Sequence, residues 1–260
     1  MRGVPFSAVV HSEWTKLWSV RSTTFSLLAL AAATIGFSAL LCAVTAANPD
    51  ELPADVRATF DPTSVSLTGL VFGQLGAAVL GVLIISAEYS TGGIRSSLVA
   101  VPRRTRMLAA KALVLTAVTL VVGTLTCLVS FLLGQALLSS ADLQTSLGEP
   151  HVLRAVLGGG LYVAGSALFG FALGTILRQT PGAIVAAVAG LLVLPPLTQL
   201  LPGSVGRGVS KWFTSNAGQT VTSARELPGV PAPWTGYLAF TAWWVVLLVV
   251  GVVLLRRRDA

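Results

Sequence analysis

Few side chains in this sequence could do chemistry, and their placement excludes most reactions. The two histidines, His11 and His151, stand far apart, and both fall outside the apolar runs. No HExxH, GxSG or paired-glutamate motif accompanies them. Cys42 and Cys127 have neither metal-binding nor redox spacing and read as small apolar fillers. No GxxxxGK[ST] loop is present, so nothing here can cradle the phosphates of ATP. General acid–base catalysis needs positioned titratable groups. The expectation is therefore a chain that is not an enzyme and needs no cofactor or metal of its own.

The polar residues that remain fall into two sets. Gln74, Gln135 and hydroxyls such as Thr124, Ser130 and Thr175 lie inside long apolar runs. Residues 86–111, SAEYSTGGIRSSLVAVPRRTRMLAAK, instead form a basic, glycine-punctuated interruption between two such runs. Ser90 and Thr91 suit a helix cap, and Gly92 and Gly93 allow a tight turn. Ile94, Leu98 and Val101 follow at i, i+4 and i+7, a short apolar stripe that Pro102 ends. RRTR (103–106) then anchors the next run among headgroups. A solvated loop needs no such stripe. The spacing predicts a short amphipathic helix suited to docking a cytosolic protein, although a connector lying on the membrane surface has the same pattern.

What must position these residues is a bundle of membrane helices. The chain has 260 residues, 54% hydrophobic and only 10% charged, with a mean hydropathy of +0.81. Soluble domains carry about 25% charged residues, so the solvent that fits is a bilayer. Charge-free intervals at 22–47, 62–87, 112–141, 155–177, 179–206 and 227–255 each exceed the roughly 20 residues of a spanning helix. An ionised side chain at mid-bilayer costs about 2.5–3.5 kcal/mol on insertion scales, so six clean intervals are not an accident. The expected fold is all-α, a single transmembrane domain over residues 1–260 with spans near 24–45, 65–86, 108–138, 153–177, 181–201 and 235–255. Small residues such as LGAAVLG (75–81) and LFGFALG (168–174) suit close helix packing in lipid. Residues 24–45 are too long for the apolar core of a signal peptide.

Orientation follows from the basic residues. With both termini on one side, that side holds twelve lysines and arginines against three acidic residues, and the other holds five against seven. The Lys/Arg bias sets topology, so both termini and residues 87–107 are expected to be cytoplasmic. This explains a net charge of +7 and a pI near 10.3 without nucleic acid as a partner.

Outside the spans, residues 5–21 repeat apolar side chains helically. Phe6, Val9, Val10, Trp14, Leu17 and Trp18 form one face, with Ser7, His11, Glu13, Lys16 and Ser19 on most of the remainder. Two tryptophans beside Lys and Arg suit the headgroup layer, so an interfacial helix leading into the first span is expected. Pro195 and Pro196 should stop or kink the fifth span. Residues 202–234 read as an outer loop in which KWF (211–213) dips into the outer leaflet.

These residues carry a resemblance. SEWTKLWSVRSTTF (12–25) before the first span, AEYSTGGIRSSLVAVPRRTRMLAAK (87–111) and WFTSNAGQ (212–219) resemble the membrane subunits of ATP-binding-cassette (ABC) transporters of the type-2 exporter kind. The layout is similar to the six-span permeases of high-GC Gram-positive bacteria. The acidic-aromatic pair, Gly, basic residue and Pro-Arg pair of that family's loop match Glu88, Tyr89, Gly92, Arg95, Pro102 and Arg103, while Gly93 stands where the family commonly has Thr. The resemblance implies a permease subunit in a bacterial plasma membrane. It would form the translocation path, export an amphipathic or apolar compound, and pair with a second copy or a similar subunit. Its loop helix, including Leu98, would insert into a cleft on a separate ATPase subunit, which would bind the ATP. Glu88 would act there as a hinge or docking group. An unpaired glutamate so near lipid is costly, and Arg95 or an arginine of another subunit is its expected partner.

Two other functions fit the same hydropathy. A secondary transporter or channel usually places ionisable residues within its spans, and these spans offer only amides and hydroxyls. That disfavours proton coupling and fits passage of an amphipathic or apolar compound, with Gln74 and Gln135 the candidates to line its path. A membrane anchor or sensor would need no ATPase at all.

Overall fold

The computed structural model describes residues 5–49, 60–90, 104–225 and 229–257. It is an all-α polytopic membrane protein with six helices long and apolar enough to cross a bilayer. Helix α1 (Phe6–Ser19) meets α2 (Arg21–Ala47) at Val20, whose extended backbone (φ −98°, ψ 110°) makes the elbow between them. A one-turn helix, α3 (Pro62–Ser66), precedes α4 (Leu70–Ser90). Asp61 caps α3: its carboxylate accepts from the Thr63 N–H at 3.0 Å and the Ser64 hydroxyl at 2.7 Å, with Pro62 at the first helical position.

Helix α5 (Arg104–Leu138) is unbroken over 35 residues. At 1.5 Å per residue that is about 52 Å, well beyond a hydrocarbon core of roughly 30 Å. Helix α6 (Val152–Leu177) is the axis of the bundle, with 83% of its spanning window buried, against 17% for the last helix. Its glycines make that position attainable. A Cβ on Gly170 would lie 2.0 Å from the Ala78 carbonyl oxygen, and one on Gly81 would lie 2.0 Å from the Ala167 oxygen. Helices α4 and α6 therefore touch backbone to backbone, the packing that lipid-embedded helices achieve with small residues.

Arg178, in the left-handed region (φ 56°), and Gln179 turn the chain from α6 into α7 (Thr180–Val188). A π-helical turn at Ala189–Val193 leads into α8 (Leu194–Thr198). Pro195 and Pro196 give no N–H to the turn before them, and a π-helical widening is one way a helix absorbs that loss. The fifth span thus bends register without stopping. Beyond it lie α9 (Gly203–Trp212), α10 (Thr214–Gly218) and a 3-10 turn at Gln219–Thr222. The Thr214 hydroxyl donates to the Gly190 carbonyl at 2.6 Å, and the Asn216 amide donates to the Pro195 carbonyl at 3.1 Å. Polar residues of WFTSNAGQ so complete the hydrogen bonding of the broken span. Helix α11 (Pro233–Arg257) closes the bundle.

Three expectations change. The second helical span starts at Leu70 rather than near 65, because the capped turn α3 and residues 67–69 intervene, and it runs on to Ser90. Glu88 and Tyr89 thus belong to its last turn rather than to a loop. Glu13 does not join the polar face of α1: Val9, Glu13 and Leu17, one turn apart each, are the buried stripe, while Phe6, Trp14 and Trp18 are exposed. Within the expected outer loop, residues 203–222 fold into α9, α10 and the 3-10 turn, and Lys211 and Trp212 of KWF end α9 with Trp212 exposed.

Candidate functional site

Glu13 faces inward because α1 lies against α5, and its carboxylate meets the one ammonium that α5 carries into the bundle. Lys111, on the third turn of α5, sits 2.6 Å from Glu13 Oε2 and 2.7 Å from Glu88 Oε1. Lys16, one turn after Glu13, reaches Glu13 Oε1 at 2.8 Å and Glu88 Oε1 at 3.5 Å. Two carboxylates and two ammonium groups thus form a ring that joins α1, α4 and α5. Side-chain exposure grades from 4% at Lys111 and 6% at Glu13 to 15% at Glu88 and 46% at Lys16. Each buried charge is paired, which is what makes ionised groups tolerable at this depth. Burial alone would lower the Lys16 pKa, but hydrogen bonding to Glu13 and the negative charges of Glu13 and Glu88 reverse this and hold it above 10.5.

The last turn of α4 is tied to a further element. The Thr180 hydroxyl donates to Ser86 Oγ at 2.9 Å, and the Arg178 guanidinium lies 5.3 Å from the centre of the Tyr89 ring. Residues 86–89 therefore bind α1, α5 and the turn between α6 and α7 at one end of the bundle. Glu88 and Lys111 also flank residues 91–103, so the chain enters and leaves that segment through the same ion-paired ring.

Of the sequence-derived set, Glu88 and Tyr89 are brought together here, while Gly92, Arg95, Leu98, Pro102 and Arg103 lie outside the described residues. The partners of Glu88 among the described residues are lysines of α1 and α5 rather than arginines. Glu13, Lys16 and Lys111 are the residues that sequence reasoning missed. The one local signal was the i, i+4, i+8 spacing of Val9, Glu13 and Leu17, and nothing local in the chain pointed to Lys111 as the partner.

Gln74 and Gln135 are both buried toward the other end of the bundle. The Tyr162 hydroxyl donates to Gln74 Oε1, and Gln219 Nε2 reaches the same hydroxyl at 3.4 Å. Gln135 Nε2 donates to Ser66 Oγ at 2.8 Å and the Pro62 carbonyl at 3.2 Å, and its Oε1 accepts from the Thr145 N–H at 2.7 Å. Gln135 thereby fastens α3 and the segment after α5 to the end of α5.

Comparison with curated proteins gives no match. The family described as ABC-2 family transporter protein matches residues 9–193, which run from α1 to the π-helical turn of the fifth span and include the whole ion-paired ring. With six membrane-grade helices and a match over most of its length, the chain belongs to the ABC-2 family of transporter proteins.

Proposed function

We propose that this chain is the permease subunit of an ABC transporter, powered by a separate ABC-type ATPase subunit that grips residues 91–103. It pairs with a second permease copy, identical or similar, and exports an amphipathic or apolar compound across a bacterial plasma membrane, with both termini cytoplasmic. The observation that carries the coupling is the ring of Glu13, Lys16, Glu88 and Lys111. A load applied to residues 91–103 reaches the bundle through Glu88 on one side and Lys111 on the other, and the ring shares it with α1. Without such a clamp, movement of the segment would be lost in local unwinding of the two helix ends. Lys111 and Glu88 are ion-paired at one end of the spans, and the polar groups deeper in them are amides and hydroxyls such as Gln74, Ser130 and Thr175, which favours a cargo that needs no ion-coupling group.

The test is affinity capture of the detergent-solubilised chain with mass spectrometry of its partners, followed by co-reconstitution with an ABC-type ATPase subunit so identified. Stimulation of ATP hydrolysis by the permease, lost on Lys111→Ala, supports the reading. Unchanged hydrolysis with the wild-type chain overturns it and leaves an ATP-independent carrier, or an anchor or sensor.

A further inference from the structure

Helices α2 and α4 are packed differently at their two ends. Away from the ion-paired ring they touch: a Cβ on Gly69, just before α4, would lie 2.0 Å from the Thr34 carbonyl oxygen, one on Gly73 2.9 Å from Thr34 Oγ1, and one on Gly76 3.0 Å from Leu30 Cβ. Toward the ring, α4 presents Leu80, Leu83, Ile84 and Ala87 instead, and Thr23 and Ser26 of α2 face them across a gap. The result is a crevice of about 350 Å³, within the size range of small-molecule sites. Its walls are mainly apolar, and Leu17 and Val114 help to close it. Glu13, Lys16, Glu88 and Lys111 all line one end. Ser19, Val20 and Ser22 at the elbow are exposed, which places the mouth beside the headgroup-type residues of α1.

We propose that this crevice binds a phospholipid of the adjoining leaflet whose head carries both a phosphate and a primary ammonium group. The four lining charges sum to zero, so they favour a dipolar head over one of either net sign. Lys16, shared between two carboxylates and still 46% exposed, is the cation a phosphate can reach. Among the described residues, Glu88 Oε2 is buried and has no hydrogen-bond partner. A buried carboxylate oxygen in that state calls for an N–H donor, which a primary ammonium supplies and a choline head does not. The apolar walls take the tail. None of this requires ATP or an ATPase, so the inference does not depend on the transport reading.

Native mass spectrometry of the full chain, delipidated in detergent and titrated with phosphatidylethanolamine, phosphatidylcholine or phosphatidylglycerol, decides it. One phosphatidylethanolamine should be retained about tenfold more tightly than either other lipid, the worth of one charge-assisted hydrogen bond. Glu88→Gln should bring it down to the phosphatidylcholine level, and Leu83→Trp, which fills the crevice, should abolish retention. Ser22→Trp blocks the mouth from an exposed position and serves if the core variant fails to fold. Equal retention of the three lipids, or undiminished retention in the crevice-filling and mouth-blocking variants, overturns the proposal. So does competition by water-soluble phosphoethanolamine, which would show that the tail is not held. ATPase stimulation can fail while lipid retention persists, and the reverse, so the two readings fall separately.

Discussion

Lys111 Nζ lies 2.6 Å from Glu13 Oε2, an ion pair between residues 98 positions apart with both side chains nearly inaccessible to solvent. One ammonium of a membrane helix thereby holds an amphipathic helix that precedes the first span. Because the same ammonium also meets Glu88, its removal would leave two buried carboxylates with only the half-exposed Lys16 between them.

Lys111→Ala should accordingly destabilise the protein by about 3–5 kcal/mol, the usual penalty for breaking a buried pair from one side. Lys16→Ala should cost no more than about 1 kcal/mol, because a half-exposed pair is screened by water. Thermal unfolding of the two variants in detergent compares them directly; equal losses would show that burial does not set the value of these pairs.

Lys16 also fixes a pH dependence. Its pKa in the folded protein is raised above 10.5, so its contribution is fully present below 10.5 and disappears only as pH rises through the elevated value. The difference in melting temperature between the wild type and Lys16→Met should stay level from neutral pH up to 10.5 and shrink above it. A difference that vanishes before 10.5 would contradict the ring geometry.

The Tyr89 ring lies under the Arg178 guanidinium, which is 5.3 Å from the ring centre. Tyr89→Phe keeps a face for Arg178 and should leave ATPase coupling near wild type, whereas Tyr89→Ala removes a contact worth about 0.5–2 kcal/mol. Coupled hydrolysis in the reconstituted complex separates the two; equal loss in both would assign the role to the hydroxyl instead.

Glycine tolerance should follow helix contact rather than helix position. Gly170→Ala drives a Cβ into the Ala78 carbonyl and should abolish the monodisperse folded species on size exclusion. Gly36 has nothing within 4 Å, so Gly36→Ala should be neutral or up to about 1 kcal/mol stabilising. Parallel behaviour of the two variants would mean that α4 and α6 do not meet through their backbones.

Asn216→Ala removes the amide that donates to the Pro195 and Ser210 carbonyls, at 3.1 and 3.0 Å, and should cost about 1–3 kcal/mol for polar groups left unpaired. Hydrogen exchange should then rise in residues 189–198. Unchanged protection there would show that the broken span holds its register unaided.

The sequence by itself determined the class of protein and the six helices. Hydropathy over some twenty residues is a local property, and a bilayer enforces it on each span separately. The sequence placed Glu88 and Tyr89 within the segment that separates the second span from the third, whereas the structure puts both in the last turn of α4. Only the tertiary structure decided which charges meet. Glu13, Glu88 and Lys111 come from three helices, and an ion pair between residues 98 apart leaves no periodic trace in the chain. Local pattern put Glu13 on the wet face of α1 because it is charged; docking against α5 turned it inward, where Lys111 compensates its charge. The paired prolines likewise announced a break, but whether the helix would end or widen depended on Thr214 and Asn216 donating hydrogen bonds from another part of the chain.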